Sequence, residues 1–526
     1  MDITLWLMIV GWIFVLLWIP FIIYTNKKTH PKALFVLFFA EMWERFSYYG
    51  MRALLVLYMT KVLFIDMAQN IAETKAYGIY GSYTAMVYLF PVIGGLIADR
   101  FMGFRKTIIW GGVLMALGHF TLALQGIEAL EGNLPFFFAA LSMIIVGNAF
   151  FKPNISSFLG TFYEMDDSRK DGAFSIFYMG VNIGSFLATL TCGYVGQQIN
   201  WHYGFGIAGI GMILGLITFW IFSKGFGEKG LAPKEVLEGE RKVFGKKPDV
   251  PIMIISLIAI PVCASILDLD ELMSTVLLII SLLIIGYLIY YAVRTEEKAE
   301  GQRLLVVVVL FFFHAIFWAL FEQAGGSLTL FADKNVNRIV GDTEIPASIF
   351  QSLNPLFIML LAPLFSFIWI KLRNAGKEPS TPMKFVLGLT QLALGFGVIV
   401  LGARFFASEE GLISIVFLAV MYLLHTTGEL SLSPVGLSMV TKLSPAKIVG
   451  FVMGAWFLSI SLGNKIAGFI GKLTTSEAID ENTSATVTLN TYSETYLIWG
   501  VGVVMAATFV LLVLVPTLKK WMNGIH

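Results

Sequence analysis

Long apolar runs separated by short polar or charged segments recur along the whole chain. A bilayer core roughly 30 Å thick needs about 20 mainly apolar residues per helix, and about fifteen runs meet that length. The first covers Ile3 to Tyr24. The later runs lie near 34–62, 76–98, 104–125, 135–160, 172–196, 203–222, 251–267, 272–293, 302–331, 346–370, 383–404, 411–440, 448–471 and 494–517. The pattern predicts an all-α polytopic membrane protein.

The basic residues between the runs predict an orientation, because Lys and Arg collect in short cytoplasmic loops. If the loop Lys27 to Lys32 is cytoplasmic, alternation places about 26 of the 36 basic residues inside and about 5 outside. One missed run would invert this bias. We therefore expect a multi-pass protein of the cell membrane, plasma or inner, with the N-terminus outside and Lys519 and Lys520 in the cytoplasm.

A charged linker, Ser223 to Asp249, is the best candidate for a boundary between two halves. The runs then divide into an extra helix with its basic loop (1–33), a six-helix bundle (34–222), a linker with a two-helix insertion (223–301) and a second six-helix bundle (302–526). Two such halves are expected to pack around a central site.

The first apolar run and the last outward loop each lead to a smaller expectation. Asp2 precedes the first run, where a signal peptide would be positively charged, and no small-residue cleavage site follows, so we interpret this run as an uncleaved extra helix. Asn482-Thr483-Ser484 in the last outward loop fits a glycosylation acceptor, a weak pattern.

Composition excludes several other classes of protein. The chain has 526 residues, of which 57% are hydrophobic and 13% charged, and its net charge is +1. The basic residues form no patch or stripe, which argues against nucleic acid as a partner. Cys192 and Cys263 lie in predicted spans without a metal-binding or redox spacing, so we infer neither a disulfide nor a metal. No nucleophile with a base is apparent, so we do not expect an enzyme.

Ionisable residues inside a span are costly, and they mark function by default. Glu41, Glu44 and Arg45 are three and four residues apart and share a helix face, with Tyr49 and Arg52 about one turn further on. A salt bridge that merely holds helices together would also explain these charges.

Lys152 argues against a purely structural explanation. It lies deep in a predicted span and directly precedes Pro153, which frees backbone carbonyls. A lysine there needs a carboxylate partner, and the nearest source is the pair Glu41 and Glu44. Such a pair can exchange a proton.

The second half carries buried polar residues of its own. Glu322 and Glu429 interrupt otherwise apolar helices, either lining a cavity or holding helices together. Asn354-Pro355 is either a substrate contact or a proline kink capped by Asn. Cations in one half facing carboxylates in the other would suit a zwitterion such as a short peptide, recognised through its termini.

Several motifs carry a family resemblance over nearly the whole chain after about residue 33. Glu41-x-x-Glu44-Arg45-Phe46-Ser47-Tyr48-Tyr49-Gly50 closely resembles the signature of the proton-coupled oligopeptide transporters of the major facilitator superfamily. Further matches are 94–103, like the superfamily's cytoplasmic loop signature, 151–155, 177–185, 321–324, 354–357 and the stretch from Glu429 to Trp456. The extra first helix departs from the family pattern.

The resemblance implies a role for each matching residue. Glu41, Glu44, Arg45, Lys152 and Glu322 would serve proton coupling. The peptide carboxylate would bind Tyr49, Arg52, Tyr88 and Lys152. The peptide amino terminus would bind Asn182, Asn354 and Glu429, and Tyr178, Ser433 and Trp456 would line the side-chain space.

The resulting hypothesis is a proton-coupled symporter that imports di- and tripeptides by alternating access, with protons as the coupling ion and no cofactor. Two alternatives stay open. One is a transporter of the same fold for another small anion or amino-acid derivative. The other, from a different class, is a membrane peptide sensor that does not transport.

Overall fold

α-Helices form almost all of the regular structure. A computed structural model describes residues 3–164, 166–475 and 485–525, without the side chains of 433–435 and 437–438. Asn482-Thr483-Ser484 therefore lies outside the described residues. The helices are α1 (Ile3–Asn26), α2 (Lys32–Tyr58), α3 (Gln69–Leu89), α4 (Pro91–Ile97), α5 (Gly103–Leu124), α6 (Leu134–Gly160), α7 (Lys170–Gln198), α8 (Trp201–Phe222), α9 (Lys234–Leu237), α10 (Asp249–Asp268), α11 (Asp270–Arg294), α12 (Lys298–Phe321), α13 (Ser327–Asn335), α14 (Leu353–Asn374), α15 (Thr381–Phe405), α16 (Ile415–Leu443), α17 (Val449–Leu473), α18 (Ala485–Thr495) and α19 (Val504–Trp521).

Short segments of other types join these helices. π-Helical turns cover Met59–Leu63, Ala98–Met102 and Tyr496–Val503, and 3₁₀ turns cover Glu128–Leu130, Ser223–Phe226, Glu322–Gly325 and Ala347–Ser352. Two pairs of two-residue strands complete the described structure. They are β1 (Val336–Asn337) parallel to β4 (Ile413–Ser414), and β2 (Ile339–Val340) antiparallel to β3 (Thr343–Glu344).

Thirteen helical segments of the described chain are long and apolar enough to cross a membrane. One of them is the segment Gln69–Leu124, which divides at Phe90, between α3 and α4, and at Gly103, a glycine in the left-handed region with φ 72°. α2 is not among the thirteen, because its buried charged side chains lower its hydropathy. Each predicted run nevertheless contains helical structure, and the prediction of an all-α polytopic membrane protein is confirmed.

Contacts within the chain define two compact units. The first unit contains Met1–Leu63, Leu89–Leu269 and Ile339–Pro355, and the second contains Phe64–Tyr88, Asp270–Arg338 and Leu356–His526. These units follow contacts rather than chain order, so the predicted division at 33, 222 and 301 stays a prediction.

In the first unit, glycines on α7 allow the backbone of α2 to approach closely. A Cβ on Gly180 would lie 2.8 Å from a ring carbon of Phe38, and one on Gly184 would overlap the backbone carbonyl of Met42. Both glycines belong to the motif 177–185. In a bilayer the hydrophobic effect does not drive helices together, so their association depends on close van der Waals packing. Small residues at the contact allow that packing. The motif therefore holds α2, with its charged residues, against α7.

The extra helix α1 lies against the same pair of helices. The indole N–H of Trp12 donates to Thr191 Oγ1 at 2.9 Å, and its rings lie 6.4 Å from the Trp43 ring and 6.3 Å from the Phe46 ring. Gly11 provides the space, since a Cβ there would lie 3.0 Å from Leu190. α1 thus packs on α7 and reaches the aromatic face of α2.

The motif 94–103 and the start of α5 contact the charged linker of the first unit. The Arg105 guanidinium donates to the carbonyls of Lys229 at 2.8 Å and Gly227 at 2.6 Å, and Arg241 donates to the carbonyl of Arg100 at 2.8 Å. A Cβ on Gly103 would overlap the linker carbonyl of Leu231. Arginine side chains that bind backbone carbonyls, and the close approach at Gly103, therefore hold the motif segment and the linker together.

In the second unit, α3 packs against the helices that follow the insertion. Tyr77 and Tyr492 share a hydrogen bond between their hydroxyls at 3.1 Å, and the Ser461 hydroxyl donates to the carbonyl of Ala85 at 2.7 Å. Lys334 forms an ion pair with the buried Glu73. These contacts connect α3 with α13, α17 and α18.

Candidate functional site

The charged face of α2 is a compact cluster in the first unit. Arg45 Nε lies 2.8 Å from Glu41 Oε1 and 2.8 Å from Glu44 Oε2, and all three side chains are at least 94% buried. The Asn148 side-chain amide donates to Glu44 Oε1 at 3.3 Å. Two carboxylates thus share one guanidinium in a site without bulk water, a net negative arrangement that a proton or a second cation would neutralise.

Lys152 supplies positive charge to this cluster. It follows Asn148 by four residues on α6, so the two side chains share a helix face, and the ammonium acts electrostatically on the Glu44 carboxylate. The structure therefore brings together the four first-half residues expected to couple protons: Glu41, Glu44, Arg45 and Lys152. The Arg45 ion pairs of the structural interpretation are present in the same cluster.

Pro153 lies inside α6, where it cannot donate to the carbonyl of Ala149. That carbonyl faces Gly94, where a Cβ would overlap it, and the Asn154 amide donates to the carbonyls of Phe150 at 2.7 Å and Gly94 at 3.1 Å. Asn154 and the backbone at Gly94 thus pack against the part of α6 whose hydrogen bonding Pro153 interrupts. Such neighbours are expected around a proline inside a membrane helix.

The other first-unit residues expected to bind substrate lie on α2, α7 and α14. The Arg52 guanidinium stands 5.5 Å from the centre of the Tyr49 ring, a cation–π geometry. Asn182 is buried and its amide donates to the Tyr178 carbonyl at 2.9 Å, whereas the Tyr178 side chain is 43% exposed.

Asn354 is half-buried in the first turn of α14. Because that helix begins at Leu353, Pro355 occupies a position where its missing N–H costs no hydrogen bond. A 3₁₀ turn, Ala347–Ser352, leads directly into that helix, so the proline kink and the substrate contact both stay predictions for Asn354-Pro355.

The second unit holds the remaining residues of the expected set. Glu322 begins the 3₁₀ turn after α12 and is 3% exposed, and Glu429 on α16 is 7% exposed. Tyr88 lies near the end of α3. Ser433 is helical, but its side chain lies outside the described residues.

Trp456 lies in an aromatic and hydroxyl network rather than on an open surface. Its ring stacks on His314 at 4.2 Å, and His314 Nδ1 lies 2.6 Å from Ser459 Oγ. The Trp318 indole donates to the other nitrogen of His314 at 2.7 Å. Both ring nitrogens of His314 therefore have partners in this network.

Two features of the structure were missed at the level of sequence. Asn148 contacts Glu44, and its position one turn before Lys152 is the signal that could have identified it. Asp270 accepts from Ser82 Oγ at 3.0 Å and from Lys472 Nζ at 2.5 Å, and it forms an ion pair with Lys465. Lys465 interrupts an otherwise apolar run, a signal of the same kind as Lys152.

Comparisons with known proteins agree with this architecture. The family model of the POT family matches residues 105–489. A di-/tripeptide transporter of Lactococcus lactis subsp. cremoris is 35% identical, with 93% of this chain and 96% of the relative covered. The peptide transporter YePEPT of Yersinia enterocolitica is 37% identical, with 86% and 89% covered.

The structural comparison agrees with the sequence comparisons. A crystal structure of the peptide transporter POT in complex with sulfate superposes with a TM-score of 0.77 at 34% identity, covering 94% of this chain and 96% of that one. The family match spans more than half of this chain, and the relatives align over almost their full length. The chain therefore belongs to the POT family and has the major facilitator superfamily fold, as the resemblance of its motifs implies.

Proposed function

We propose that this protein is a proton-coupled symporter that imports di- and tripeptides by alternating access. Membership of the POT family and the names of the relatives as peptide transporters support the substrate class. The observation that carries the coupling is the buried cluster in which Glu41 and Glu44 share the Arg45 guanidinium, 2.8 Å from each.

This cluster suits proton coupling because its charges do not balance locally. Two carboxylates facing one guanidinium leave one negative charge in a low-dielectric region, where an uncompensated charge is expensive. Either Lys152 or a proton can compensate this negative charge. When one of them does so, the other is not needed. When a proton binds, Lys152 is released from this task and becomes available to a peptide carboxylate.

The substrate contacts follow from the same assignment. Tyr49, Arg52, Tyr88 and Lys152 hold the peptide carboxylate. Asn182, Asn354 and Glu429 hold the amino terminus, Tyr178, Ser433 and Trp456 line the side-chain space, and Glu322 takes part in proton coupling. Because the site binds the two termini of the peptide and makes no specific contact with its side chains, peptides of two or three residues with many sequences can be accepted.

The protein acts in the cell membrane, with the N-terminus outside and the C-terminus in the cytoplasm. That orientation places the basic loops inside. Each proton that enters with the peptide gains about 2.3 kcal/mol per 100 mV of membrane potential. Protons are the coupling ion, and the cycle needs no cofactor.

The test is uptake of labelled dialanine by liposomes that contain the purified protein. With an inward-acid pH gradient we expect accumulation that a protonophore abolishes. Glu44→Gln should lose accumulation but keep exchange of labelled for unlabelled peptide, because exchange needs the binding site without net proton movement. Proton-driven accumulation by Glu44→Gln at the wild-type rate would contradict the coupling role.

A matched control separates this effect from the general loss of a carboxylate. Asp167 also pairs with an arginine, Arg169 at 2.7 Å, but lies outside the membrane spans. Asp167→Asn should keep both accumulation and exchange. Binding of dialanine without uptake or exchange, by wild-type protein shown to be folded, would instead favour a sensor.

A further inference from the structure

A cavity of about 680 Å³, lined by both charged and apolar side chains, opens at one end of the second unit. Its walls come from the C-terminal ends of α14, α16 and α19 and from the N-terminal end of α15, including the loop between α14 and α15. All four helices contain or belong to segments long and apolar enough to cross a membrane. Because the cavity lies at the ends of these helices, we expect it near the lipid head groups.

The lining is strongly basic. Among the described residues, four cationic side chains, Arg373, Lys384, Lys442 and Lys519, contribute to it, against one carboxylate, Glu378. Glu378 forms ion pairs with two of these cations, since its oxygens lie 2.7 Å from Arg373 Nε and 2.7 Å from Lys384 Nζ. Hydrogen bonds from Arg373 lower the pKa of Glu378 to about 2, so the carboxylate stays ionised at neutral pH.

The wall also has features that suit an amphipathic anion. Lys384 is 7% exposed, and its ammonium stands 4.8 Å from the centre of the Trp369 ring, which fixes the direction of the charge. α15 starts in the wall at Thr381, and the N-terminus of a helix favours anions. Met439 and Met522 add apolar surface. Tryptophan at a span end is typical of the membrane interface.

We propose that this cavity binds an anionic phospholipid, with the lipid phosphate held among Arg373, Lys384, Lys442 and Lys519 and the acyl chains following the ends of the helices. A lipid fits better than a free anion because the cavity combines cationic and apolar walls at the depth of the head groups. In the proposed orientation this is the cytoplasmic leaflet, where anionic lipids attract basic segments.

The test uses the full-length protein in detergent and native mass spectrometry with added phosphatidylglycerol or phosphatidylcholine. We expect the protein to retain phosphatidylglycerol in preference to phosphatidylcholine. The double variant Lys442→Gln with Lys519→Gln should lower the affinity for phosphatidylglycerol by at least about tenfold, because each basic residue near the lipid surface contributes to attraction.

The matched control removes the same number of positive charges, from the ends of α14 and α19. Lys371 and Lys520 are exposed neighbours of Arg373 and Lys519 that do not line the cavity. Lys371→Gln with Lys520→Gln should keep the phosphatidylglycerol affinity. Arg373→Gln, a change at a different wall, should also lower it, and circular dichroism would establish that each variant is folded.

Three outcomes would overturn the proposal. The first is an equal loss of lipid in the cavity and control variants, which would indicate a general charge effect. The second is no preference for phosphatidylglycerol in the wild type. The third is displacement of phosphatidylglycerol by inorganic phosphate at matched concentration, which would indicate a site for a free anion.

Discussion

Gly81 on α3 and Gly468 on α17 leave so little space between their backbones that a Cβ on Gly81 would lie 2.9 Å from the Cα of Gly468. A Cβ on Gly468 would in turn lie 2.7 Å from the carbonyl of Tyr77. Both neighbours are backbone atoms, which cannot rotate away as a side chain can. The contact between α3 and α17 therefore depends on glycine at both positions.

Replacing Gly81 with alanine should separate these two helices. The extra methyl group should cost about 1–3 kcal/mol in the packed arrangement, since the backbones must move apart. We expect a lower melting temperature and a changed uptake rate. Gly397→Ala is the control, because nothing lies within 4 Å of a Cβ there. Equal effects of the two substitutions would mean that helix propensity, and not the contact, is responsible.

A second contact between α3 and the segment after α17 provides a cross-link test. The hydroxyls of Thr74 and Thr475 lie 3.1 Å apart, so cysteines at these positions should be able to form a disulfide. Native Cys192 and Cys263 are both buried and should not compete. If alternating access requires these helix ends to part, oxidised Thr74→Cys with Thr475→Cys should not accumulate peptide, and a reductant should restore uptake. Undiminished uptake by fully cross-linked protein would exclude a gating movement here.

Much of the fold could be predicted because the long apolar runs indicate which segments are membrane helices and the basic loops indicate the cytoplasmic side. The cluster of Glu41, Glu44, Arg45 and Lys152 could be predicted too, since charges inside a span must find partners. The role of Asp270 could not. It begins α11 at the edge of a run, where a carboxylate ordinarily contacts water, and only the fold brings Lys465 and Lys472 to it.

Helix α1 makes a further prediction about stability. Gly11→Leu should push α1 away from α7, because even a Cβ would lie 3.0 Å from Leu190 and 3.2 Å from Phe186. The larger side chain should cost about 1–3 kcal/mol, and the melting temperature should fall. Gly286→Leu on α11 is the control, since a Cβ there meets nothing within 4 Å. An unchanged melting temperature for Gly11→Leu would indicate that α1 contributes little to folding.

The ion pairs of Asp270 connect the insertion helix α11 to α17, and Asp270→Asn should weaken that connection. Without the carboxylate charge, Lys465 and Lys472 keep two positive charges near each other, with Lys465 at 9% side-chain exposure. We expect a destabilisation of about 2 kcal/mol, below the cost at a fully buried pair, because the Asp270 side chain is 25% exposed.

Thermal unfolding of the purified protein measures this effect, and a second substitution identifies its cause. Asp268→Asn, an exposed carboxylate two residues away, should leave the melting temperature unchanged. Adding Lys465→Met to Asp270→Asn should recover part of the loss, since one of the two facing charges is then gone. If the two changes are simply additive, Lys465 and Asp270 do not stabilise each other, and Lys472 and the apolar contacts must hold the insertion to α17.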